Sequence, residues 1–182
     1  TMVLQIIAKL TRGETILPAD STKDKRIDID SESDMVDVKN IENNASTQHL
    51  EAPVNVIYQT AEDGLGDTIK PRLLAAGADC TKVMVIDDSE QPLTMADARL
   101  EEAIVQTKAR MVVLDPIQGF LGSEVDMHRA NEIRPLMKRI AVLAEKYHCA
   151  IILIGHMNKN SNGKSSYRGL GSIDFQAAAR SV

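Results

Sequence analysis

Three short stretches carry residue types that could do chemistry on a charged substrate. In the first, the apolar run Val54 to Gln59 leads into Thr60-Ala61-Glu62-Asp63-Gly64, so two adjacent acids stand where a strand would end. A carboxylate in that place can orient an attacking water and take its proton. Asp63 equally fits the first turn of a following helix, where the helix dipole favours an acid. Glu62, nearer the strand end, is therefore the better base. In the second stretch, Met111-Val112-Val113-Leu114 is followed by Asp115-Pro116. Four apolar residues and an acid form the Walker B pattern: a carboxylate at the lip of a rigid strand can hold a Mg2+-bound water beside nucleotide phosphates. Taken alone, the pattern also fits an acid that caps a helix or solvates a loop. In the third, Ile151 to Ile154 is followed by Gly155-His156-Met157-Asn158-Lys159. A lone histidine is more often structural, but at a third strand end His156 can contact a terminal phosphate and report its loss to the loop beyond.

That loop, Asn158 to Gly171, reads NKNSNGKSSYRGLG. It is rich in Gly, Ser and Asn and carries Lys159, Lys164, Tyr167 and Arg168. It reads as a mobile basic segment suited to phosphate backbones, against the plainer reading of a solvated loop. Gly163-Lys164-Ser165 imitates the end of a phosphate-binding loop, but GxxxxGK[ST] needs glycine at position 158, which is Asn.

The elements that must position these residues follow from periodicity. Met2 to Leu10 places apolar residues at 2, 3, 4, 6, 7, 8 and 10, a helix expected to be buried on most sides and to end near Arg12-Gly13. After Pro53 the chain alternates. Strands are expected at Val54–Gln59, Val83–Ile86, Met111–Leu114 and Ala150–Ile154, the last two buried. Helices are expected at Asp63–Ala76, Ala96–Lys108, Asn131–Tyr147 and Ser172–Arg180. Pro71 is tolerable in the first of these only if it kinks the helix or starts a second one. Strands alternating with helices indicate a parallel sheet covered on both faces, and ligands bind at the carboxyl ends of its strands.

Composition agrees. Hydrophobic residues make up 43 % of 182 residues, aromatics only 3 %, and tryptophan is absent. The core is thus aliphatic, as in buried parallel sheets. Cys80 and Cys149 lie far apart with no metal-ligand spacing, and read as small buried hydrophobes of a reducing compartment. No apolar run approaches a membrane span. Between Asp20 and Glu51 lie nine acidic and four basic residues, which accounts for the whole net charge of −5. This polar, aperiodic stretch reads as an exposed or disordered insertion, and its acidity does not forbid a basic patch elsewhere. The helical pattern that starts at Thr1 and the abrupt stop at Arg180-Ser181-Val182 read as interior cuts in a longer protein.

In order, YQTAEDGLGDTIKPRLLAAG, VVLDPIQGFLG and ILIGHMNKNSNGKSSYRGLGSIDFQAAARSV resemble the AAA-25, or RepA-like, branch of RecA-fold ATPases. These are relatives of the hexameric plasmid helicase RepA and, more distantly, of DnaB and RecA. The likeness runs from Val54 to Val182, with Met2 to Pro18 as a shorter piece. It implies an α/β RecA-like P-loop NTPase core, a mostly parallel sheet sandwiched by helices. Residues 1–182 would form one partial domain, with 19–52 as the acidic insertion and further strands beyond Val182. TMVLQIIAKL resembles the helix after GxxxxGKT, which puts Thr1 at or just past the end of Walker A, in contact with nucleotide. The resemblance implies ATP and Mg2+ as cofactors, both Glu62 and His156 against the nucleotide, Glu62 as catalytic base, Asp115 on Mg2+ through water and His156 as γ-phosphate sensor. It implies Arg180 as an arginine finger for the neighbouring subunit, with Arg168 competing, and Lys159, Lys164 and Arg168 facing nucleic acid. The implied partners are single-stranded DNA and further copies of the chain in a hexameric ring, in the cytoplasm and away from membranes. The expected function is the ATP-hydrolysing motor of a RepA/DnaB-like DNA helicase replicating plasmid, phage or other mobile DNA. Recombination, repair and regulatory ATPases share the fold, and a non-catalytic remnant without a P-loop is the further alternative.

Overall fold

The computed structural model describes residues 2–16 and 52–155, together with Phe175, Ala177 and Ala179. Helix α1 spans Met2–Arg12 and buries Leu4, Ile7, Ala8 and Thr11, the i, i+3, i+4, i+7 set of one face. It is therefore not buried on most sides: Met2 is 80 % exposed. The helix ends where its sequence says it should. Gly13 takes a φ of +73°, and the Gly13 and Glu14 N–H groups return to the Leu10 and Lys9 carbonyls, a Schellman arrangement that satisfies the last turn. Val54 N–H donates to the Leu10 carbonyl, so the chain enters its first strand beside the end of α1.

Four strands follow, β1 (Val56–Thr60), β2 (Val83–Met84), β3 (Met111–Asp115) and β4 (Ala150–Leu153). They form one all-parallel sheet in the order β2-β1-β3-β4. Helices α2 (Lys70–Ala75), α3 (Ala98–Thr107) and α4 (Ala130–Lys146) connect them. The fold is the α/β one expected of a RecA-like P-loop core. Side chains alternate across each strand, so the sheet has two distinct cores. Val56, Tyr58, Met111 and Val113 pack with Leu4, Ile7, Ile69 and Leu73 on the α1/α2 side. Ile57, Val112 and Leu114 pack with Leu100, Ile104, Ile133, Ile140 and Leu143 on the α3/α4 side.

Three expected elements differ. The helix expected at Asp63–Ala76 is two: a π-helical turn over Leu65–Ile69, then α2, with Pro71 in its first turn. Proline has no N–H to give, so the wide turn ends and a new helix starts where that donor is not needed. The strand expected to reach Ile86 pairs only at Val83 and Met84. Beyond that the Gln59 side chain replaces the ladder, donating to the Ile86 carbonyl and accepting from the Ile86 N–H, both at 3.0 Å. Finally, β4 is not buried. Ala150 is exposed and Ile151 to Leu153 are half-buried, because among the described residues β4 pairs with β3 alone. Phe175 and Ala177 are helical, as expected of the last element, whose other residues before Ala179 lie outside the described ones. Ala52 apart, so does the acidic stretch.

Candidate functional site

The sheet order creates one special crevice. From β1 the chain crosses outward to β2; from β3 it crosses the other way, to β4. The winding reverses between β1 and β3, and the crevice outside the carboxyl ends at such a reversal is where open α/β sheets bind ligands. The two strands run in register to their last residues, with Thr60 opposite Asp115. Beyond the register, Ala61 N–H donates to the Asp115 carbonyl.

A cleft of about 510 Å³ opens there. Its polar wall is Tyr58, Thr60, Glu62, Asp63, Arg72 and Asp115. Its apolar wall includes Met2, Val3 and Ile6 of α1, with Pro116, Ile152 and Ile154. Met2, Val3, Leu4 and Ile6, from the start of α1, thus line the cleft, and the first turn of the helix opens onto it. Two of the residues expected to act together, Glu62 and Asp115, share this cleft. Thr1, His156, Lys159, Lys164, Arg168 and Arg180 lie outside the described residues; the strand leading to His156 reaches the cleft through Ile152 and Ile154.

Local chemistry sets each polar group. Thr60 Oγ1 accepts from the N–H groups of Glu62 and Asp63, at 3.4 and 3.1 Å, turning the chain as it leaves β1. Asp63, read as a helix-turn acid, instead pairs with Arg72 at 3.2 Å. Tyr58 is 2 % exposed, and its hydroxyl donates to Asp115 Oδ2 at 2.7 Å. Burial, and then the bond to Asp115, push the phenol well above its ordinary pKa, so it stays a neutral donor. Gly119, in the turn after β3, lies so close to Ala61 that a Cβ there would sit 2.3 Å from the Ala61 Cβ. Only glycine lets this turn and the segment leading to Glu62 approach so closely.

Tyr58, Thr60, Arg72 and Gly119 were not singled out by motif. Tyr58 carried a signal nonetheless. It is one of three tyrosines in an otherwise aliphatic chain, and a buried tyrosine hydroxyl usually has a partner. Which partner was not legible, because the pairing of β1 with β3 is a tertiary fact.

An open parallel α/β sheet, with acids at the ends of the two strands flanking its reversal point and the first turn of α1 beside them, is consistent with a RecA-like P-loop core. A family model described as an AAA domain matches residues 34–162, more than two thirds of the chain, and the protein belongs to this family of AAA-type P-loop ATPases. No curated protein matches the chain. Among the described residues no helix is long and apolar enough to cross a membrane.

Proposed function

We propose that the cleft at the ends of β1 and β3 is the ATP-hydrolysing site of a DNA motor of the RepA/DnaB-like helicase type. One observation carries the reading: Glu62 and Asp115 line the same crevice at the reversal point, with the first turn of α1 opening onto it. The donor set suits Mg2+, since the cleft offers carboxylate oxygen. Among the described residues no group of three or more His, Cys, Asp or Glu could hold a metal.

When bound, Mg2+ neutralises charge on the phosphates. In this proposal Asp115 holds a water of its shell, and Glu62, exposed at the rim, takes the proton of the attacking water. Thr1, directly before Met2, adjoins the phosphates. His156, two residues beyond Ile154, senses the γ-phosphate. Arg180, or Arg168 in its place, serves a neighbouring subunit's site. Lys159, Lys164 and Arg168 hold single-stranded DNA in the channel of a hexameric ring.

The test is ATP turnover by the full-length protein with Mg2+, with and without single-stranded DNA, beside a Glu62→Gln variant. Turnover stimulated by DNA and lost in the variant is the expected result. A Glu62→Gln protein that hydrolyses ATP at the parent rate would remove the base from the mechanism. Turnover unmoved by DNA, with no strand unwinding, would remove the helicase.

A further inference from the structure

We infer that Tyr58 is the positioning residue of Asp115: its buried hydroxyl holds one carboxylate oxygen and so aims the other. The inference rests on the reading of Asp115 as the acid that holds the Mg2+ shell. Tyr58 stands opposite Val113, two residues short of Asp115 on the same face of the sheet. A diagonal neighbour at that separation is within reach of an aromatic side chain but not of a serine or threonine hydroxyl. The bond that results, 2.7 Å to Oδ2, falls in the range of a strong hydroxyl–carboxylate hydrogen bond. The ring itself is held in the core formed with Leu4, Ile7 and Ile69, so the donor is anchored to both β1 and the helices. Oδ1 makes no hydrogen bond among the described residues and is the oxygen left for the cleft. Phenylalanine would fill the same volume in that core, so packing alone gives no reason for the hydroxyl. Residues that orient a metal-side carboxylate in this way typically change metal affinity or activity by about 10–100-fold when removed.

Tyr58→Phe deletes the hydroxyl and little else. The experiment measures binding of a fluorescent, non-hydrolysable ATP analogue to the full-length protein as Mg2+ is titrated, for the parent, Tyr58→Phe, Asp115→Ala and the double variant. Tyr58→Phe is expected to raise the Mg2+ concentration at half effect about 10-fold, with affinity for the analogue in the absence of Mg2+ unchanged. In the Asp115→Ala background, removing the hydroxyl is expected to change nothing further. If Tyr58→Phe lowers the unfolding midpoint, this cycle still decides, because a purely structural loss would appear in both backgrounds. An unchanged Mg2+ dependence in Tyr58→Phe, alongside a shifted one in Asp115→Ala, overturns the positioning role and leaves the proposed site standing. No shift in Asp115→Ala overturns the reading of the site, and the inference with it.

Discussion

Tyr58 and Gln59 are neighbours in β1, both buried and both polar, and they answer to opposite faces of the sheet. Gln59, on the α3/α4 side, spends its amide on the Ile86 backbone and on Asp88, stitching β2 to β1 where the ladder has run out. Tyr58, on the α1/α2 side, spends its hydroxyl on an acid at the edge of a cleft. The two faces differ in the same way as the two residues. On the α3/α4 side the sheet is closed by two long amphipathic helices over Leu100, Ile104, Ile133 and Ile140. On the α1/α2 side α1, the π-helical turn and the short α2 cover the strands, and a cleft opens beside the carboxyl ends of β1 and β3. One face holds the fold, and the other lines the cleft proposed as the hydrolytic site.

The two faces should respond differently to substitution. The largest expected effect is in Glu62→Gln, which should lower ATP turnover by about 10²–10⁴-fold while leaving stability within about 0.5 kcal/mol, as for an exposed substitution; turnover assays and denaturant titration read the two separately. Leu100→Ala should do the reverse. Leu100 is fully buried in the closed face, and the cavity should cost about 2–5 kcal/mol of unfolding free energy, with turnover per folded molecule retained. Gln59→Leu should cost about 1–3 kcal/mol, because the Ile86 N–H and carbonyl would be left buried without partners. A loss of turnover in Gln59→Leu as deep as that of Glu62→Gln would erase the distinction between the faces.

The smallest effect is in pH dependence. Burial pushes the Cys149 thiol, in the closed-face core, up to about 11 from an ordinary 9.0. The folded state thus keeps this proton longer than the unfolded chain. Its contribution is full below pH 9 and is lost as pH rises through 11. Cys149→Ala should therefore flatten the decline of unfolding free energy over that window, read by urea titrations at several pH values; an unaltered slope would mean that the thiol is not held out of water.

Much of this was legible beforehand. Helix α1 and its glycine stop, the alternation of strands and helices, and Asp115 at the end of an aliphatic run all come from local rules that need only a few neighbouring residues. The early end of β2 and the split at Pro71 were harder. In each, a side chain or a proline competes with regular backbone pairing, and the winner depends on what lies across the sheet. The aliphatic run of β4 suggests burial that the structure does not show, because such a run records hydrophobicity and not the number of strands beside it.

From its sequence alone, this protein is an alternating α/β chain with acids after Gln59 and Leu114. That much follows because periodicity and turn chemistry act over a few residues. What only the tertiary structure decided is that β1 and β3 are neighbours, in register to Thr60 and Asp115, with the winding reversed between them. Strand order is set by which apolar faces the helices can cover together, a property of the whole sheet that no single segment encodes. That order makes one cleft of two distant acids, and it brings Tyr58 within hydrogen-bonding distance of one of them.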